Sequence, residues 1–473
     1  MAKTADEIAS ALMSGLYTYV DASMGDERDD NAHDPFVAWC KPGIPFEPDD
    51  FRFSKFMLKG QGASDEERMR DASFQLTQAA GFSRFVDFVP SVGGIVGGRM
   101  DGGVLRPGSA TLSEVYKRIL ESSQVAQLPE PAGINEKIQQ LREQAKPMRE
   151  SYEKCQEEFD KAKVEYIKAR LNATWSAAAD MEFRATGGSL RQKVIKAREN
   201  WEIEGFKTQY ENLLAEIASL RSKRSPAIWR KEALDNYAAL PDGQDAAFGE
   251  ARLTMPYPPS FASGNSGWTS FAVKLEHVDQ LNTKKSSKWG ASGGFGWGSL
   301  KLGGSAAGST SQTLAISNTN SFSVKMSIAQ VPLLRSWYDP WFLRSEFWRF
   351  NPASIEGNRN DVVSDKSVPP KGLLVAWPVT ALFVRDVEIA LDELRDESSE
   401  LVKTLKAEGK GGWGFGVLNV GGSYERNSEE KRHKADIANG KLTIPGLQLI
   451  GFRCELMGQC PKPKEGVTWV DGA

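Results

Sequence analysis

Histidine and cysteine are scarce in this chain of 473 residues: His33, His277 and His433 are the only histidines, and Cys40, Cys155, Cys454 and Cys460 the only cysteines. The histidines fall in three separate regions, so a histidine-built metal centre or triad requires distant segments to converge. The one close thiol pair, Cys454 and Cys460, lacks CxxC spacing and has no histidine nearby, which argues against a zinc or redox motif. The four read as reduced structural thiols.

Nucleotide signatures are missing too. There is no P-loop, and the glycines around Val92 to Gly103 neither show the dinucleotide fingerprint nor follow a βαβ pattern. Gly290-Ala-Ser-Gly-Gly294 has the letters of a nucleophile elbow, but that motif needs a strand followed by a helix, and this serine enters a glycine-rich β segment. Neither cofactor nor metal is expected, and catalysis without a local motif is the least favoured function class.

Charge of one sign is not in excess either. Lys plus Arg (59) nearly balance Asp plus Glu (62), a net charge of -3, which gives no field to draw in phosphate backbones; nucleic acid is excluded as a partner. The start, Met1-Ala-Lys-Thr-Ala-Asp-Glu-Ile8, lacks the basic flank and apolar run of a secretory signal. Cytoplasmic residence, or export by a route needing no N-terminal signal, is expected. The longest apolar stretch, Gly372 to Val384, is interrupted by Pro378 and falls short of the roughly 20 residues of a membrane helix.

What is present divides the chain into a helical first half and a β-rich second half. Over residues 1–130, Thr4 with Glu7, Ser64 with Glu67 and Thr111 with Glu114 each have capping-box spacing. Ile8, Leu12, Leu16 and Tyr19 then recur at helical intervals. A helical N-terminal module is expected, with the glycine-studded apolar segment Phe85 to Arg99 as a connection within it.

Residues 131–226 carry the clearest periodicity. Ile134, Ile138, Leu141, Ala145, Met148, Tyr152, Cys155, Phe159, Ala162, Tyr166 and Ala169 alternate steps of four and three, a heptad seam, with Pro147 inside it as an expected break. Thr186-Gly-Gly-Ser189 offers a turn. Phe206, Tyr210, Leu213, Ile217 and Leu220 supply a second seam, so the spacing predicts an antiparallel coiled-coil hairpin. A first arm of about 45 residues would reach roughly 70 Å at 1.5 Å per residue. Each apolar stripe covers one partner helix and little more, which favours a projecting arm.

Residues 255–473 turn to short alternating runs. Phe271 to Val278, Phe322 to Ile328 and Val384 to Leu391 read as strands, the last leading into a charged helix from Asp392 to Ala407. Two segments match without a gap: Gly294-Phe-Gly-Trp-Gly-Ser-Leu-Lys-Leu-Gly-Gly-Ser305 and Gly412-Trp-Gly-Phe-Gly-Val-Leu-Asn-Val-Gly-Gly-Ser423. Side chains alternate along a strand, so Gly294, Gly296 and Gly298 share one face, as do Gly412, Gly414 and Gly416, forming a groove that another element approaches closely. Repeat units at 271–334 and 384–454 predict a duplicated antiparallel β-sandwich.

Between the copies lies a dense aromatic cluster. Arg335, Trp337, Tyr338, Asp339, Trp341 and Trp348 read as a structural plug joining the two units, with a binding cage for sugars or cations as the alternative. The fold expected is therefore α+β. The function expected is non-enzymatic assembly or binding, through self-association or another protein. A soluble toxin-like pore former, reaching a membrane after a conformational change, is the alternative; the dense charge of Tyr424 to Lys434 weighs against two equivalent membrane hairpins.

Overall fold

The computed structural model describes residues 3–22, 36–54, 65–90, 94–96, 99–101, 110–127, 133–173, 177–222, 225–239, 252–264, 267–279, 295–297, 300–302, 314–315, 318–367, 369–395 and 436–471. Helices and antiparallel sheet are both present, an α+β fold. The chain forms two compact units. One comprises Met1–Arg118, Tyr237–Tyr338 and Asp361–Cys460, the other Ile119–Asn236, Asp339–Asn360 and Pro461–Ala473.

The first unit is built on a seven-stranded sheet. Its strands are β1 (Phe36–Phe46), β2 (Thr269–Lys274), β3 (Phe322–Leu334), β4 (Ala376–Leu391) and β5 (Lys441–Leu456), with two short edge strands, Met255–Pro256 and Asp436–Ala438. Strands β3, β4 and β5 lie side by side, all antiparallel; β2 extends the sheet beyond β3 and β1 beyond β5. The N-terminal stretch thus contributes a sheet strand as well as helices.

Helix α1 (Ala5–Ala22) starts at a reciprocal cap. The Thr4 N–H donates to Glu7 Oε2 at 2.8 Å, and the Glu7 N–H donates to Thr4 Oγ1 at 3.2 Å. The helix buries Ile8, Leu12, Leu16 and Val20 against one face of the sheet, where Phe322, Val324, Met326 and Ile328 of β3 meet Val384, Val387 and Ile389 of β4. The other face packs on Phe51, Phe53 and helix α2 (Asp65–Phe85) through Ala329, Val331, Leu333, Phe383 and Phe452. Phenylalanine rings fill that core, with Phe51 and Phe261 at 4.7 Å and Phe88 and Phe452 at 5.0 Å between centroids.

The switch of core along β3 is visible in its burial. Even-numbered residues are buried from Phe322 to Ile328, and odd-numbered ones from Ala329 to Leu333. In β4 the two cores overlap: Thr380 to Val384 are buried without interruption. That is the reason for its long apolar run, since a central strand covered on both faces shows no alternation. Past Arg385 a bulge with Asp386 at φ 54° shifts the register, so that Val384 and Val387, three apart, reach the same core.

Among the described residues, the long strands of both expected repeat units share one sheet, with α1 on one face and α2 on the other; a duplicated sandwich is not seen among them. Of the matched glycine segments, Phe295–Trp297 pairs with Leu300–Leu302 as a hairpin, Gly296 opposite Lys301. The whole second copy, Gly412 to Ser423, lies outside the described residues. The charged helix expected from Asp392 is a 3-10 turn over Asp392–Leu394, and its remainder from residue 396 lies outside as well.

Between α2 and helix α3 (Leu112–Glu121), the expected connection contains a small hairpin, Gly94–Val96 with Arg99–Asp101. Thr111 Oγ1 accepts the Glu114 N–H at 3.2 Å at the start of α3; Ser64 lies outside the described residues.

The second unit contains α4 (Ile134–Ala145), α5 (Arg149–Ala173), α6 (Ala177–Ile203), α7 (Lys207–Ser222) and α8 (Pro226–Ala238). Helices α5 and α6 run antiparallel, Tyr166 against Phe183 and Tyr152 against Trp201. Ile134, Ile138 and Leu141 of α4 pack on Ile217, Leu213 and Leu220 of α7. Pro147 sits in a 3-10 turn, Lys146–Met148, between α4 and α5.

Thr186-Gly-Gly-Ser189 does not turn the chain; it is helical inside α6, and residues 174–176, between α5 and α6, lie outside the described residues. The hydroxyls that suggested a turn bond back along the helix, Thr186 Oγ1 to the Glu182 carbonyl at 2.8 Å and Ser189 Oγ to the Thr186 carbonyl at 2.7 Å. Gly187 lies under the Phe183 ring, which a Cβ would meet at 2.9 Å. A small sheet of Ser123–Ala126, Trp348–Phe350 and Trp469–Asp471 completes the unit.

Candidate functional site

The six residues of the aromatic segment are divided between the two units. Arg335, Trp337 and Tyr338 belong to the first unit, and Asp339, Trp341 and Trp348 to the second.

In the first unit, Arg335 follows the end of β3 and donates from Nη1 to the Pro378 carbonyl at 2.6 Å and from Nη2 to the Val86 carbonyl at 3.1 Å. Next to Val86 is Asp87, almost fully buried, whose Oδ1 accepts the Ser113 N–H at 2.8 Å and whose Oδ2 accepts the Ser113 hydroxyl. Burial raises the Asp87 carboxyl to about 6, with its Ser113 bonds and the Arg335 charge opposing. Burial also lowers Arg335 to about 10, against the pull of Asp87.

Around this pair the rings interlock. Trp337, 2 % exposed, donates from Nε1 to the Leu253 carbonyl at 2.9 Å. Tyr116 lies 6.0 Å from Trp337 and 5.0 Å from Tyr338, and Tyr338 lies 5.7 Å from Trp377. The Arg252 guanidinium stacks over Tyr237 at 4.2 Å while its Nε donates to the Tyr237 carbonyl. Arg335 through its Nη atoms and Arg252 through its Nε and guanidinium face bind carbonyls and a ring of their own unit, while Arg335 Nε is buried with no partner among the described residues.

In the second unit, Asp339 caps the short helix Pro340–Arg344. Its Oδ1 accepts the N–H groups of Trp341 and Phe342, and its Oδ2 accepts the Trp229 indole N–H at 2.8 Å. Trp348 is wholly buried, stacked on Phe342 at 6.0 Å and donating from Nε1 to the Leu343 carbonyl at 2.8 Å. Trp341 departs from the expected plug: it is 67 % exposed, with the Arg344 guanidinium over its ring at 5.6 Å. Position two of a five-residue capped helix directs it away from the Phe342 and Leu343 core.

Of the glycine groove, only Gly296 falls among the described residues; Gly294, Gly298, Gly412, Gly414 and Gly416 lie outside them. All four cysteines are buried free thiols. Burial pushes the Cys40 and Cys454 thiols well above their ordinary range. Among the described residues no three His, Cys, Asp or Glu side chains converge as a metal site, and no helix is long and apolar enough to cross a membrane. A surface cleft lined by Lys3, Lys274, Glu276, Asp279 and Ser323 pairs its own charges, Lys3 with Asp279 and Lys274 with Glu276.

Sequence reasoning missed Asp87 and Ser113, which stand 26 residues apart with no motif between them. The one signal was the capping spacing at Thr111, which marks the helix start that Asp87 joins. No protein-family model matches the chain, and no curated protein or solved structure matches it.

Proposed function

We propose that the chain is a non-enzymatic assembly or binding protein that acts through its helical arm, a coiled-coil hairpin, and a duplicated β-rich domain. The observation that supports this reading is where apolar surface is left uncovered. Of nine large hydrophobic side chains that stand exposed among the described residues, five, Met181, Ile195, Ile203, Phe206 and Leu214, lie on α6, α7 or their link. Their inner faces are already occupied by α5 and α4.

Gly188 adds to it. A glycine inside a helix costs about 1 kcal/mol relative to alanine, and a Cβ at Gly188 would meet nothing within 4 Å. Among the described residues no packing requires it, whereas close approach by a partner helix would. Met181 and Ile195 stand seven residues either side, on the same helix face. The partner is a second copy or another protein.

The test is light-scattering mass in buffer and with liposomes, for the wild type and for Met181→Glu with Ile195→Glu. Stable oligomers in buffer that the double variant loses support assembly. A monomer that oligomerises only on lipid, with dye leakage, transfers the case to a pore former.

A further inference from the structure

The helical arm is interrupted in both its legs, the two breaks about two helical turns apart, since Gly205 lies against Cys155, past Pro147 on the facing leg. On one leg Pro147 occupies the 3-10 turn between α4 and α5; proline lacks the N–H that would bond the preceding turn and crowds its carbonyl. On the other leg α6 ends at Ile203 and α7 begins at Lys207, with Phe206 at φ 52°. Tyr152, just past Pro147, touches both sides of that second break, its ring 5.2 Å from Trp201 and 4.6 Å from Tyr210.

The left-handed conformation falls on a phenylalanine although a glycine is next to it. Gly205 serves a different need: a Cβ there would meet the Trp201 carbonyl oxygen at 2.7 Å and Cys155 Cβ at 2.8 Å. Its missing side chain admits α5, and the strain passes to Phe206, where a left-handed non-glycine residue is disfavoured roughly tenfold. Two further features are poorly satisfied. Trp201 is buried with no acceptor for Nε1, and Ile203, 74 % exposed, and Phe206 present apolar surface to solvent.

What holds the break is a set of polar contacts. Tyr152 Oη donates to Glu211 Oε1 at 2.9 Å, and Lys207 Nζ donates to Glu211 Oε2 at 2.9 Å. The Lys207 ammonium lies over Trp201 at 5.2 Å. Glu202 accepts from Thr208 Oγ1 at 2.7 Å and from its N–H at 3.3 Å, covering the open start of α7.

We propose that this stretch, between the two breaks, is a two-state joint, at which α5 and α6 swing together relative to α4 and α7. One state is the broken arrangement described above. In the other, α6 runs on into α7 as one helix, Phe206 returns to the right-handed region, and the Tyr152–Glu211 bond opens. Strained backbone persists where its surroundings over-determine it, and here the Tyr152–Glu211 bond, Lys207 and the Glu202–Thr208 bonds do so. With an interruption in each leg, the pair can turn by opening the contacts of Tyr152, in the first turn of α5, with Tyr210 and Glu211 of α7, and no regular stretch of helix has to break. The joint belongs to the arm itself and stands whether or not the arm binds a partner.

The experiment is a distance distribution by double electron–electron resonance on the full chain, with spin labels at Gln140→Cys on α4 and Gln192→Cys on α6. Both positions are exposed, and the four native thiols are buried. Two populations are expected in the otherwise unaltered chain. Phe206→Gly, or Phe206→Asn if the glycine variant folds poorly, should shift them roughly tenfold toward the broken state. Tyr152→Phe should shift them the other way. Two populations, or a shift with either substitution, support the joint; one narrow peak at the same distance in all these proteins overturns it.

Discussion

Ser113 closes on Asp87 with two bonds, its backbone N–H 2.8 Å from Oδ1 and its hydroxyl on Oδ2. Beside them the Val89 N–H donates to the Ala110 carbonyl at 3.2 Å, so the glycine-rich excursion is fastened at its neck. Arg335, bonded to the neighbouring Val86 carbonyl, ties that neck to the end of β3. A buried carboxylate therefore sits where the start of α3, the end of α2 and the sheet are joined.

The pH dependence of stability follows from that placement. The Asp87 carboxyl titrates near 6 in the folded chain, above its ordinary 3.8. Between these values the folded state holds the proton more tightly than the unfolded state, so this group's contribution falls as pH rises from about 4 to about 6 and is level above. At about 1.4 kcal/mol per pKa unit, the loss is at most about 3 kcal/mol. Urea denaturation across pH 4 to 8 should show a decline in the wild type that Asp87→Asn removes; an identical decline in the variant would assign it to other groups.

Tryptophan replacement should separate the aromatic segment into two classes. Trp337→Phe and Trp348→Phe each remove an indole shielded from acrylamide together with its bond to the Leu253 or Leu343 carbonyl, at about 1–3 kcal/mol. Both should melt at lower temperature. Trp341→Phe should remove a quenchable indole and leave stability within about 0.5 kcal/mol. A shielded Trp341 would contradict the position given to its short helix.

Two glycines of the arm should respond to alanine with opposite sign. At Gly188 a Cβ meets nothing within 4 Å, so Gly188→Ala should stabilise the folded monomer by about 1 kcal/mol. At Gly205 it meets backbone and Cys155, so Gly205→Ala should destabilise despite alanine's better propensity. Chemical denaturation at low protein concentration measures both. Equal signs would show that propensity alone governs these sites.

Charge placed in the seam of α4 and α7 tests their packing. Leu141 is buried with Ile138 and Ile217, while Leu213 is only partly so. Leu141→Asp should cost about 3 kcal/mol or more, since an unpaired carboxylate is left in an apolar site, and Leu213→Asp less. Circular dichroism melts decide it: matching curves for wild type and Leu141→Asp would rule this packing out.

Local chemistry was legible in the sequence wherever its partners were near in the chain. The Thr4–Glu7 cap, the helical stripe of α1 and the alternation of Phe322 to Ile328 each depend on residues a few positions apart, and each lies where the spacing put it. Thr186 to Ser189 misled because glycine and hydroxyl residues suit a turn and a helix alike; the Phe183 ring over Gly187 fits the segment's place inside α6. The exchange of cores between Ile328 and Ala329, and the bulge that brings Val384 and Val387 to one core, follow from where α1 and α2 pack on the sheet, which no period in the strand encodes. Asp87, Ser113 and Arg335 stand apart in sequence by 26 and more residues, and burial alone made them a unit. Trp337 and Trp341 look alike in sequence. Tertiary packing shielded the first indole among Tyr116, Tyr237 and Tyr338 and left the second in water, since Phe342 and Leu343, not Trp341, are the residues of its short helix that are buried.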